Sequence, residues 1–194
     1  MAGAILPFPP EIDRDYFGAW LSGFVDGEGC FYLGQHCQHK APVAALQILL
    51  RADDLAVLQK IQSYWNCGVL KYRPRPSERS SRPRSNPAWT YWAWSANYLQ
   101  RIIVPHFIRF PLQAKKARDF EIWRQAVQLI FNAQQLGKRC MGKRYGFRRN
   151  WTPENLAHFQ ILYEALRSVR AYNSSDVPDL TPPPPSCPLF DHLP

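Results

Sequence analysis

The chain has 194 residues, 46% of them hydrophobic and 20% charged, which is the length of one domain with appendages and enough apolar material to bury a core. Its longest apolar runs fall short of the roughly 20 residues a membrane-spanning helix needs, and the start, MAGAILPFPPEID, lacks the basic leader and unbroken apolar stretch of a secretory signal, so no membrane partner is expected. Lys and Arg number 24 against 15 Asp and Glu, a net charge of +9 that favours a polyanionic partner, most commonly nucleic acid.

Residues 1–12 hold three prolines and read as an irregular arm. From Asp13 the pattern turns helical: Tyr16, Trp20 and Phe24 recur every four residues, with Phe17 and Leu21 beside them. Gly18, Ala19, Ser22 and Gly23 line much of the remaining surface of that helix, and small residues at this spacing let a second backbone approach closely. The helix is expected to stop in Gly27-Glu28-Gly29. Residues 30–40 then read as a strand and 41–51 as a second, with Pro42 marking the turn. A helix over 53–65 starts with Asp53 as N-cap and carries Leu55, Leu58, Ile61 and Trp65 on one face. Strands over 69–73 and 89–95 flank a polar loop, 74–87. Ser95 is placed as the cap of a helix over 96–107, and a longer helix is expected from about Pro111 to Asn132.

Residues 137–150 are dense in Lys and Arg, contain three glycines and read as a mobile basic connector. Thr152-Pro153-Glu154 is a good helix start, and that helix should run to about Ala171. The last 20 residues include PPPPS and read as disordered or polyproline-like. The expected organisation is an arm over 1–12, a core over 13–135, a basic connector with a C-terminal helix over 136–172, and a tail over 173–194. No internal repeat is visible. The five cysteines (Cys30, Cys37, Cys67, Cys140, Cys187) show neither CxxC nor zinc-finger spacing, which points to reduced thiols inside a cell. His36, Cys37 and His39 crowd together, but alternation along a strand sends neighbours to opposite faces, so no metal site is expected there.

The most specific segment is LSGFVDGEG (21–29). It resembles the LAGLIDADG signature of homing endonucleases: Leu21, Gly23, Asp26 and Gly29 match outright, and Ser22, Phe24, Val25, Gly27 and Glu28 are mild replacements. It closes a helix followed by two strands, a helix and two strands, which is similar to the α+β, αββαββα core of that family, here with an additional C-terminal helix. The segment FPLQAKKARDFEIW (110–123) resembles the family's later basic motif.

The residues of the signature also make physical sense by themselves. Asp26 and Glu28 stand at a helix C-terminus, where the negative end of the macrodipole disfavours acids by roughly 0.3–1 kcal/mol. A divalent cation restores favourable charge there and takes hard oxygen ligands. The resemblance implies that Glu28, with the carbonyl of Gly27, binds Mg²⁺. Most relatives carry Asp at the Glu28 position, so this chain reaches one methylene further. Asp26 is taken as mainly structural. Lys116, with Lys115 second, is the basic residue expected near the scissile phosphate. Where relatives place a water-ordering polar residue late in the second strand, this chain has Leu50 and Arg51.

One copy of the signature supplies one acidic turn, whereas cutting a duplex requires attack on two strands. The resemblance therefore implies a homodimer on pseudo-palindromic DNA, its two helices meeting through Gly18, Ala19, Ser22 and Gly23. Base reading is expected from the sheet: alternation puts Tyr32, Gly34, His36, Gln38 and Lys40 opposite Phe31 and Leu33, and Gln47, Lys71 and Arg73 add donors suited to base edges in the major groove. Arg75, Arg79, Arg82 and Arg84 are expected to hold phosphates. Trp89, Trp92 and Trp94 read as core or interface. The implied role is a metal-dependent, staggered double-strand break in intron mobility, in a bacterial cytoplasm or an organelle. A non-cleaving DNA-binding regulator and an intron RNA maturase are the alternatives on the same fold.

Overall fold

The computed structural model describes residues 5–35, 41–75, 86–141 and 151–171, with side chains left out over 136–141. Helix α1 spans Arg14–Glu28; Asp13 caps it, its carboxylate accepting the Tyr16 N–H at 2.7 Å. The chain passes directly into strand β1 (Gly29–Gln35), which pairs antiparallel with β2 (Pro42–Arg51). Pro42 is not the turn residue expected: it is the first residue of β2, opposite Gln35 at the strand end, where its missing N–H costs little.

Asp53 does not cap the next helix. It lies in a 3₁₀ turn (Ala52–Asp54) and pairs with Arg51, and helix α2 follows over Leu55–Trp65. Leu58, Ile61 and Trp65 of its apolar face are buried, as the spacing predicts, and Leu55 is half-buried. The helix ends in a left-handed turn at Asn66 and Gly68, whose φ of 82° and contact with the Tyr91 ring leave room only for glycine.

Strand β3 (Val69–Arg73) pairs with β4 (Ala88–Ala93), giving an antiparallel sheet of order β1-β2-β4-β3. Then come α3 (Ala96–Tyr98), a wide π turn over Leu99–Ile103, and α4 (Val104–Arg109). The wide turn lies just before Pro105, which has no N–H to continue an α-helical ladder. The Ser95 side chain makes no capping bond.

The long helix is displaced from its expected bounds. Residues 111–115 are not helical; α5 runs Lys116–Met141 and so continues into the segment expected as a connector. Helix α6 spans Pro153–Arg170, with the Thr152 hydroxyl accepting the Asn155 N–H. Among the described residues no helix is long and apolar enough to cross a membrane.

Helices α1, α2 and α5 cover one face of the sheet. Phe31, Leu33, Leu46, Ile48 and Tyr91 point into this core and meet Leu21, Val25, Leu58, Ile61, Phe107 and Trp123. Helix α6 adds Phe159, Leu162 and Leu166 to the same core. Its Arg170 donates to the Asp119 carboxylate at 2.6 Å and to the Phe31 carbonyl at 2.9 Å, while the Trp123 indole donates to the Tyr32 carbonyl at 3.2 Å. The edge strand β1 is thus held by side chains from α5 and α6. The N-terminal arm is not free either: Phe8 packs edge-on against Phe17 and Tyr64.

Candidate active site and nucleic-acid face

The last turn of α1 carries acids and no basic residue. Glu28, its final residue, is exposed, and Gly27 before it has open space where a Cβ would stand. The cation that answers the helix end comes from α5: Lys116 Nζ donates to the Asp26 carbonyl at 2.6 Å and to the Gly27 carbonyl at 2.9 Å. In return the Asp26 carboxylate accepts the backbone N–H groups of Gln113, at 2.7 Å, and Ala114, at 3.1 Å. The end of α1 and the approach to α5 therefore cap each other. This brings Asp26, Gly27 and Lys116 together, with Glu28 next in the chain; Lys115 is exposed alongside and Lys116 half-buried. The sequence signature marked the acids and the later basic segment the lysine pair, but the backbone partners Gln113 and Ala114 carry no side-chain signal and were missed.

Register places the expected base-reading side chains on one face. Cys30–Gln47–Trp92–Val69 forms one row across all four strands, Tyr32–Ala45 the next on one side, and Leu49–Thr90–Lys71 and Arg51–Ala88–Arg73 the rows on the other. Tyr32, Gln47, Lys71 and Arg73 thus share the face turned away from the helices. Tyr32 lays its hydroxyl over Gly34, which is buried beneath it rather than open. The Lys71 ammonium stands 4.0 Å from the Trp92 ring centre and 5.4 Å from that of Trp94, a cation–π arrangement on the same face. Trp89 points to the opposite face, packed on Tyr72. Arg75 reaches Asn86 Oδ1 at 3.4 Å. His36, Gln38, Lys40, Arg79, Arg82 and Arg84 lie outside the described residues, as do the Pro-rich tail and residues 142–150.

The small-residue stripe of α1 divides. Gly18 and Ser22, expected at a dimer contact, face inward instead. Gly18 lies under Phe110 and Tyr64, and the Ser22 hydroxyl donates to the Phe110 carbonyl at 2.6 Å and lies 3.3 Å from His106 Nε2. They let α1 approach its own chain's α4 rather than a second molecule. Ala19 and Gly23 remain exposed, beside Tyr16 (75% exposed) and Trp20 (39%).

His106 was not marked by the sequence. Burial lowers its pKa from 6.5 to about 4, so it is neutral at physiological pH and fills the core between Ser22, Trp65 and Phe110.

A family model described as LAGLIDADG endonuclease matches residues 21–127, more than half of the chain. The chain belongs to the LAGLIDADG endonuclease family. It is 27% identical over 109 residues to a probable intron-encoded endonuclease aI3 of Dictyostelium citrinum, covering 56% of this chain and 38% of that protein. Solved homing-endonuclease structures share the fold. The LAGLIDADG homing endonuclease I-SmaMI bound to cleaved DNA matches with TM-score 0.58 and 24% identity over 86% of this chain and 50% of its own. The homing endonuclease I-TnaI matches with TM-score 0.54 and 22% identity over 81% of this chain and 95% of its own. The chain therefore spans less than two fifths of the Dictyostelium relative and half of I-SmaMI, but nearly all of I-TnaI.

In this LAGLIDADG chain the exposed Glu28 carboxylate and the Gly27 carbonyl are hard oxygen donors, the type that a divalent magnesium or calcium ion takes. Among the described residues no three His, Cys, Asp or Glu side chains converge as a ready-made metal cluster. The donors fit such an ion as a partial set.

Proposed function

We propose that the chain is a homing endonuclease that binds long, pseudo-palindromic double-stranded DNA as a homodimer and cuts one strand per subunit, leaving a staggered break, in the mobility of an intron. The observation that carries this reading is the Lys116 ammonium seated on the Gly27 carbonyl at the end of α1, with the exposed Glu28 next in the chain, where the chain turns straight into a strand of the open sheet face.

In this reading Lys71 and Arg73 on the sheet face meet guanine edges or phosphates, Gln47 and Tyr32 meet base edges, and Arg75 with Arg79, Arg82 and Arg84 holds the backbone. Glu28 and the Gly27 carbonyl would hold the metal, for which Mg²⁺ is proposed. When bound, the ion polarises the scissile phosphate and lowers the pKa of an attacking water. Glu28 fixes that charge relative to the helix end, and Lys116 offsets the charge that builds on the phosphate oxygens. Asp26 acts through its grip on Gln113 and Ala114, keeping Lys116 in reach.

Two observations support the homodimer. The exposed face of α1 presents Tyr16, Ala19, Trp20 and Gly23, apolar or small and running along the helix toward its Glu28 end, so pairing this helix with its copy brings two acids near one axis. The nearly full coverage of I-TnaI is what a one-core protein predicts. An intron-encoded relative agrees with a gene carried in a bacterial or organellar intron.

A plasmid carrying the joined flanks of the chain's own intron tests the function. Linearisation that depends on Mg²⁺ supports the nuclease. Tight binding without cutting favours a regulator, and restored splicing of the intron RNA favours a maturase.

A further inference from the structure

The position of Lys116 has a consequence for how the site accepts a metal. Its ammonium already occupies the Gly27 carbonyl, at 2.9 Å, and the Asp26 carbonyl, at 2.6 Å. These carbonyls end a helix whose last turn has acids and no basic residue, so they lie at the negative end of the macrodipole. Gly27 is the residue whose carbonyl is proposed to ligate the ion, and both it and Glu28 are exposed at the helix end.

We infer that Lys116 is a displaceable stand-in cation: it neutralises the end of α1 in the metal-free protein, and a divalent ion entering at Glu28 and Gly27 expels it toward the DNA phosphate. This rests on the proposed metal role of Glu28 and adds an exchange between two cations for one carbonyl. Like charges at one acceptor repel, so ammonium and metal ion compete and each weakens the other's hold. The lysine stem is long and has freely rotating bonds, so its head swings away while α5 stays packed through Phe120 and Trp123. The Asp26 carboxylate still grips Gln113 and Ala114 after the exchange, so the lysine keeps its anchor. The device keeps the acidic turn folded when no metal is present and delivers the lysine only when the site is loaded.

Binding of Mn²⁺ to the full chain without DNA, followed by titration calorimetry, tests the exchange. Lys116→Met should take up Mn²⁺ about fivefold or more tightly than the parent, because the competitor is gone. Equal or weaker uptake by that variant, absence of uptake included, overturns the inference. Glu28→Gln serves as the separate control: uptake unchanged in it means that the metal role of Glu28 is wrong, whereas uptake lost in it but not tightened in Lys116→Met means that only the exchange is wrong. A second measurement needs no variant. In ¹⁵N-lysine-labelled protein the Lys116 ammonium, protected by two carbonyls, should lose its slow proton exchange as Mg²⁺ is added. Protection that persists at saturating Mg²⁺ overturns the inference as well.

Discussion

Gly18 and Phe110 are in contact so close that a methyl group between them has no room: a Cβ on Gly18 would lie 2.5 Å from Phe110 Cε2 and 2.6 Å from the Tyr64 hydroxyl. Five residues on, Gly23 has nothing within 4 Å of the same point. Two glycines of one helix thus have opposite duties, one inside the folded chain and one on its surface.

Gly18→Ala should therefore destabilise the folded chain by about 1–3 kcal/mol through overpacking. Gly23→Ala should cost nothing and gain up to about 1 kcal/mol of helix propensity. Gly23→Leu should leave the fold intact but push two α1 helices apart and lower the dimer fraction. Urea denaturation reads the first two effects and sedimentation equilibrium the third. A Gly23→Leu protein that is fully dimeric would place the subunit contact elsewhere.

This division shows what the sequence could not carry. Helix α1 and its end within Gly27-Glu28-Gly29 follow from local signals, and so do the apolar face of α2 and the Thr152 start of α6. The alternation within each strand that carries Tyr32, Gln47, Lys71 or Arg73 is equally local, whereas the register that puts these residues on one shared face is not. Whether a small residue faces inward or outward depends on what sits against it, and Phe110 and Tyr64 are remote in sequence from Gly18. The same holds for Lys116, whose reach to Gly27 is set by the break between α4 and α5, and for Arg170, whose partners Asp119 and Phe31 are remote from it along the chain. Pairings fixed by tertiary packing have no periodic signature.

His106 makes stability depend on acid. Folded, it takes up a proton only at about pH 4, whereas the unfolded histidine does so near 6.5. Between those values the unfolded chain binds more protons, so the contribution is complete above about pH 6.5 and fades as pH falls toward 4, by up to about 3 kcal/mol. His106→Asn should remove that part of the slope in a series of urea midpoints. Identical slopes for parent and variant would mean that the side chain is accessible and titrates normally.

Arg170 joins the C-terminal helix to the strand that carries Tyr32. Asp119, its partner, is only 8% exposed, so Arg170→Ala leaves a nearly buried carboxylate without its cation. A loss of about 2–4 kcal/mol is expected in chemical denaturation, with the exposed edge of Arg170 keeping it toward the lower end. Arg170→Ala together with Asp119→Ala should recover part of that loss. Additive losses would mean that the two side chains act independently.

Arg73 should behave as a nucleic-acid contact whose energy depends on salt. If it neutralises one phosphate, Arg73→Ala lowers the slope of log affinity against log salt by about 1, with little change of sequence preference. If it reads guanine, the slope changes less and one base position relaxes, at about 1–3 kcal/mol. Fluorescence anisotropy over a salt series separates the two roles, and an unchanged slope with unchanged preference would remove Arg73 from the interface.

In the proposed mechanism the Glu28 carboxylate supplies the charge that holds the catalytic metal. Glu28→Gln keeps nearly the same shape and removes that charge, so DNA cleavage and DNA binding measured side by side on this one variant are the most direct test. Cleavage should fall by a factor of at least about 1000, with binding within about threefold of the parent. Cleavage at the parent's rate by Glu28→Gln would contradict that mechanism.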